Sequence, residues 1–162
     1  MRNEQRLYAP IAQWLRRLLT ARHPRSTVVV RDSHRTALGQ VIRGLGLVER
    51  FPQSELWELK VDVVGVVVSP RRAEVAIVEC KVGQPNLMHV CQLLGYSLVV
   101  KPAVSLLISP KPISDSLAQL LRVHGRYDIL QYDKARRLRI ARWVEGRNDI
   151  DHTSLIPPGE HF

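Results

Sequence analysis

Cysteine is scarce in this chain. Cys80 and Cys91 are the only two among 162 residues, and their spacing matches no metal-binding pattern. They read as buried, reduced thiols, as expected of a cytoplasmic protein rather than a disulfide scaffold. No apolar run approaches the length of a membrane span, so no membrane partner is expected. The first residues mix charged and apolar side chains, and no secretory signal is visible. There is no glycine-rich phosphate loop and no internal repeat, which excludes the nucleotide-binding loops and solenoids that announce themselves in sequence. Acid is also in deficit, with 15 Asp and Glu against 24 Lys and Arg.

What is present is a globular composition with a strong positive excess. Hydrophobic residues make up 45% of the chain, which suits a packed core in one domain. The net charge of +9 comes mostly from arginine, 19 against 5 lysines. Arginine offers a planar fork that matches phosphate oxygens, so a polyanionic partner is one reading. A solvated, arginine-rich surface is the plain alternative.

Periodicity supplies the elements. Leu7, Tyr8, Ile11, Trp14, Leu15 and Leu18 recur at helical spacing within 3–21, with Trp14 expected in the core. Pro10 should kink or delay that helix. Residues 26–32 read as a strand, and 34–45 as a helix weakened by glycine. A helix over 86–99 is opened by Pro85, with Leu87, Val90, Cys91, Leu94 and Leu98 on its inward stripe. A strand at 103–109, a helix at 113–124 and a basic hairpin pairing 127–132 with 137–143 follow. Residues 1–147 are the expected domain, and 148–162, polar and aperiodic, an expected C-terminal tail. The order implies an α/β fold with a mixed central sheet flanked by helices.

The informative stretch is KVDVVGVVVSPRRAEVAIVECK, residues 60–81. Two apolar runs flank Ser-Pro-Arg-Arg. Proline cannot take the positive φ of a two-residue primed turn, so the expected loop is Ser69 to Arg72, with Pro70 starting a type I turn. Val68 then pairs with Ala73, and Asp62 falls opposite Glu79. Both share a face with Val64, Val66, Val75 and Ile77, and Lys81 follows on that face. Facing like charges at the edge of an apolar surface are unfavourable unless a cation sits between them. Carboxylates in this arrangement suit Mg²⁺ or Mn²⁺. A salt-bridged end of an exposed strand pair is the alternative.

Asp62 followed by Glu79-Cys80-Lys81 resembles the D…ExK motif of the PD-(D/E)XK nuclease superfamily, with its restriction-endonuclease-like core of αβββαβ order. Gln92 and Tyr96 stand at the QxxxY spacing of the RecB-like branch, and Glu4 lies where many members carry a glutamate on the first helix. The likeness spans roughly residues 3–109. Val61 stands where the family name puts proline, and 34–45 is an extra segment of unassigned role. The resemblance implies that Asp62, Glu79 and the backbone carbonyl of Cys80 hold the metal, with Glu4 a candidate for a second metal or a water ligand. Lys81 would position the attacking water and stabilise charge, Gln92 would orient Lys81 or substrate, and Tyr96 would support Gln92.

His89 could reach the site or substrate, although such a histidine is more often a partly buried surface residue. Asp32 and His34 end a strand near a cleft, with a turn or cap as the ordinary role of Asp32. Arg71 and Arg72 at the hairpin tip, and Arg137, Arg139 and Arg142 in the basic run, are the candidate phosphate contacts. The expected function is a metal-dependent nuclease hydrolysing phosphodiesters, in DNA first of all. A catalytically silent nucleic-acid-binding or assembly subunit, and a dimeric junction-resolving endonuclease, are the alternatives. Targeting would fall to a protein partner or to the chain's own surface. No homodimer surface is legible.

Overall fold

The structure is a computed structural model that describes residues 3–160 and 162. A helix, α1 (Gln5–Arg22), leads into strand β1 (Thr27–Asp32) and a short helix, α2 (Leu38–Gly44). Strands β2 (Val63–Ser69) and β3 (Arg72–Cys80) follow, then α3 (Leu87–Val100), β4 (Val104–Ser109) and α4 (Asp115–Ala118), which runs on as a π turn over Gln119–Val123. Two short strands, β5 (Gln131–Asp133) and β6 (Arg136–Arg137), precede β7 (Arg139–Val144) and β8 (Asp149–Ile156). Six strands form one mixed sheet in the order β1-β2-β3-β4-β7-β8. β3, β4 and β7 run parallel to one another, and the remaining pairs are antiparallel.

The sheet is apolar on both faces because helices cover both. On one side α1 buries Leu7, Ile11, Leu15 and Leu19 against Val63, Val67, Ala76 and Val78. On the other, α2, α3 and α4 pack over Val64, Val66, Val75 and Ile77. Gly65 lets α1 approach: a Cβ built there would lie 2.6 Å from the Leu19 Cδ1 atom. Trp14 is in the core, stacked edge-on against Trp143 at 6.1 Å between ring centroids.

The β2–β3 hairpin has the expected register. Val68 pairs with Ala73 and Val63 with Val78 without interruption, and Ser69 with Arg72 closes the turn. Other expectations are corrected. α1 begins at Gln5 and runs on past Pro10, so the proline does not delay it. Pro10 stands in the second turn, where the unused carbonyl belongs to Arg6, an exposed residue open to water. The basic hairpin is confined to β5 and β6; β7 instead pairs with β4, because Leu138, Ile140 and Ala141 are all buried and belong in the main sheet. The stretch read as a tail is β8, an edge strand burying Ile150, Leu155 and Ile156. A break in register hides its periodicity: Arg142 pairs with Asp151, but Ile140 pairs with Ile156.

The stripe on α3 is also rotated from the expected one. Val90, Leu93, Ser97 and Val100 point inward, while Leu87, Cys91 and Leu98 are exposed. The inward face tolerates Ser97 because its hydroxyl donates to the Leu93 carbonyl and meets the Ser105 hydroxyl at 2.7 Å. Among the described residues, no helix is long and apolar enough to cross a membrane.

Candidate active site

The carboxyl ends of β1 and β3 and the amino end of β2 meet at one end of the sheet. There the Ser33 amide donates to the Asp62 carbonyl at 2.9 Å and the Ser33 hydroxyl to the Val61 carbonyl at 2.7 Å. These bonds fix the chain just ahead of β2. Asp62 is therefore held beside the end of β3, where its Oδ2 accepts the Cys80 amide at 2.8 Å. Glu79 follows from the strand period: it shares the parity of Val75 and Ile77 and is only 5% exposed.

Burial first, and then the charge of Asp62, push the Glu79 carboxyl up to about 7 against the partial opposition of the Lys81 ammonium. Asp62 is raised as well, by burial first; the Cys80 amide, a hydrogen bond from Tyr8 and the charge of Lys81 pull it back. Lys81 Nζ donates to Glu79 Oε1 at 2.9 Å and lies 4.0 Å from Glu4 Oε2. Burial lowers Lys81, but its bond to Glu79 and the fields of Glu79, Glu4 and Asp62 outweigh that and raise it. It is therefore an ammonium at neutral pH, suited to donate and to offset negative charge rather than to accept a proton. Burial and the adjoining carboxylates push the Cys80 thiol up, which leaves it inert as a nucleophile.

The site thus gathers Glu4, Asp62, Glu79 and Lys81 from three parts of the chain. Asp62 and Glu79 present hard oxygen donors where burial disfavours both ionised forms, and the charge of Asp62 adds to the effect on Glu79. This donor chemistry fits Mg²⁺ or Mn²⁺, which bind through one or two carboxylates and keep several waters. No cluster of three or more His, Cys, Asp or Glu side chains is arranged as a complete ligand set among the described residues.

Two neighbours complete this end of the sheet: Tyr8, which the sequence shows only as part of the helical stripe, and His34, which it places with Asp32 at a strand end. Tyr8 reaches Asp62 from α1, and burial together with the charge of Asp62 pushes its hydroxyl far above the usual range. Its signal was there, because Glu4 and Tyr8 are four apart and share a helix face. His34 packs on Tyr8 with ring centroids 4.8 Å apart, and its Nδ1 pairs with Asp32. Its Nε2 is buried without a partner.

On α3, Gln92 Nε2 donates to the Tyr96 hydroxyl at 3.1 Å, so the two side chains form a pair on the exposed flank of the helix. His89 closes the start of α3. Its Nδ1 accepts the Asn86 amide, and the Asn86 side chain accepts the His89 amide. Burial and the nearby Lys81 charge lower its pKa. His89 is therefore a neutral cap beside the site.

The candidate phosphate contacts lie elsewhere. Arg71 and Arg72 sit at the hairpin tip, about 25 Å along the strands from Asp62, and Arg72 pairs with Glu74 at 3.1 Å. Arg142 pairs with Asp151 at 2.8 Å. Arg137 and Arg139 both face Glu160, at 3.9 and 3.4 Å, and the Phe162 ring lies 5.0 Å from the Arg139 guanidinium. Lys111 and Arg122, which the sequence does not single out, share a cavity with Arg142. This cavity of about 350 Å³ lies beside the carboxyl end of β4, lined by Lys111, Arg122 and Arg142 together with Asp115 and Asp151 over Ile113 and Ile140. Neither Lys111 nor Arg122 has an ion-pair partner among the described residues.

Compared with protein-family models, curated proteins and solved structures, the chain finds no match.

Proposed function

We propose that the chain is a metal-dependent phosphodiester hydrolase of the PD-(D/E)XK kind, acting on DNA. The observation that carries this reading is the buried Glu79 carboxyl, raised by the charge of the half-buried Asp62 beside it, with the Lys81 ammonium bonded to Glu79 at the end of β3. A fold that gained only stability from this corner would do better with apolar residues. Asp62, Glu79 and the Cys80 carbonyl would hold a divalent cation. When bound, that cation supplies Lewis-acid charge neutralisation and a more acidic water.

The chain's own contribution is electrostatic. Lys81 donates to an oxygen that gains charge in the transition state, and the surrounding carboxylates keep it protonated. Tyr8 and the Cys80 amide hold Asp62 in place. Glu4 limits the motion of Lys81 from the α1 side. The substrate backbone runs across the carboxyl ends of β3 and β4, where Lys111 and Arg122 stand unpaired beside the cavity.

The test is cleavage of single-stranded, duplex and branched DNA with Mg²⁺ or Mn²⁺, comparing wild type with Asp62→Asn and Glu79→Gln. Metal-dependent cleavage lost in both variants supports the reading. Metal and DNA binding without cleavage on any substrate would turn it to the silent binding subunit.

A further inference from the structure

The outward face of α3 carries an apolar stripe bordered on one side by the Gln92–Tyr96 pair. Leu87, Met88, Leu98 and Val99 are 43, 74, 54 and 57% exposed, and Cys91 and Gly95 lie between them. Successive positions advance by about 100°, so these six residues form one continuous stripe on the side opposite Val90, Leu93 and Ser97. The helix carries no Asp, Glu, Lys or Arg anywhere in Leu87–Val100, in a chain of net charge +9. An exposed apolar stripe of this extent marks an interaction surface.

Gly95 points the same way. A Cβ built on it meets nothing within 4 Å, so no packing inside the molecule calls for glycine. Glycine in a helix interior costs about 1 kcal/mol relative to alanine. A partner lying close against the helix gives the missing side chain a purpose.

We infer that the outward face of α3 binds a second copy of the chain, in an antiparallel helix pair about a twofold axis near residue 93. The stripe is self-complementary about that point. Leu87 falls opposite Val99 of the second copy, Met88 opposite Leu98, and Cys91 opposite Gly95. Large residues thus meet at both ends, while the smallest meet in the middle, where the helices come closest. Such matching is what an isologous interface requires. It also explains the missing charge: two copies of a +9 chain repel one another, and this is a face on which they can meet without opposing cations. A helix of this length gives an interface of about 1,000 Å², at the small end of the specific range, so the association is reversible and concentration-dependent. This inference does not depend on the chemistry at Asp62 and Glu79.

Sedimentation velocity over a concentration series tests it. The wild type should move from 18.5 kDa towards twice that mass, 37 kDa, as concentration rises. Leu98→Glu should stay at the monomer mass with an unchanged circular dichroism spectrum; Met88→Glu, at the more exposed position, serves the same purpose if the first variant fails to fold. The register is checked by mixing Met88→Cys/Cys91→Ser with Leu98→Cys/Cys91→Ser. Oxidation should crosslink the mixture far more than either variant alone. A wild type that stays monomeric at every concentration, a dimer indifferent to both glutamate variants, or crosslinking equal in the mixture and the separate variants would each overturn the inference.

Discussion

Glu79→Gln should change how the metal-free protein responds to pH. Glu79 titrates near 7 in the folded chain against an ordinary 4.5. The native state therefore holds this proton more tightly than the unfolded state does. Between those two values unfolding releases a proton, so stability falls as pH rises. Below 4.5 the carboxyl is protonated in both states and nothing is lost. Well above 7 the loss is complete, and at 1.36 kcal/mol for each pH unit between the two values it amounts to about 3 kcal/mol. Lys81, raised from an already high value, stays charged throughout and leaves the slope alone. Asp62 is raised too, and its contribution has the same sign.

Glutamine keeps the shape of Glu79 without the titration. Its lost charge weakens the bond to Lys81, which lowers stability by a roughly constant amount. The informative quantity is therefore the slope, not the absolute value. Urea unfolding in chelator, from about pH 5 to pH 9, should show wild type losing about 2.5 kcal/mol more than Glu79→Gln, since part of the loss lies below pH 5. Added Mn²⁺ should restore the wild type at high pH, because a ligand that binds only the native state stabilises it. It should barely move the variant. Parallel pH profiles for the two proteins would refute both the burial argument and the assigned carboxylate pairing.

Three further outcomes are expected. Lys81→Ala should lower the single-turnover cleavage rate on saturating DNA by about 10² to 10³, the size of one lost transition-state donor, with DNA affinity changed far less. Neutralising Lys111 and Arg122 together should reduce the log–log salt slope of DNA binding by about 2, measured by anisotropy. The same treatment of Arg137 and Arg139 should leave the slope nearly unchanged, since Glu160 already faces both. Gly65→Ala should destabilise the fold by about 1 to 3 kcal/mol in urea, because the new methyl group meets Leu19 at the α1–sheet contact.

Where a local rule decided the structure, it could be read from sequence. The β2–β3 register followed from one turn and a period of two, and every partner after that was determined. The helix over Leu87–Val100 was legible as an element, but its orientation was not. Nearly all its residues are apolar, so two faces compete equally for the core. The choice went to Val90, Leu93 and Val100 because Ser97 finds Ser105 on the neighbouring β4, a contact between residues eight apart that no helical period encodes. β7 and β8 were misread for a related reason. Their pairing is set by contacts with β4 and by a break in register, so polar Asp151 and Thr153 interrupt what would have been an alternation.

The site divides along the same line. Glu79 and Lys81 were visible because they stand two apart around the end of one strand, and Asp62 because it directly precedes the first pair of the hairpin ladder, Val63 with Val78. Tyr8, His34, Lys111 and Arg122 come from four different segments and meet this end of the sheet only through the fold. Arginine content was the weakest guide. Arg137, Arg139 and Arg142 looked like a phosphate-tracking run, yet each found a carboxylate in the last strand or beyond it: Asp151 for Arg142, Glu160 for the other two. A cation's availability depends on which acid the fold brings beside it. The chain has 24 cations against 15 acids, so some must remain unpaired. Sequence gives that surplus as a total, and only the fold assigns it to places. Many cations lack an ion-pair partner among the described residues, Arg71 included, so what sets Lys111 and Arg122 apart is their place beside a cavity at the carboxyl end of β4. It moves the expected path of a polyanion from the far tip of the hairpin to the end of the sheet that holds Asp62 and Glu79.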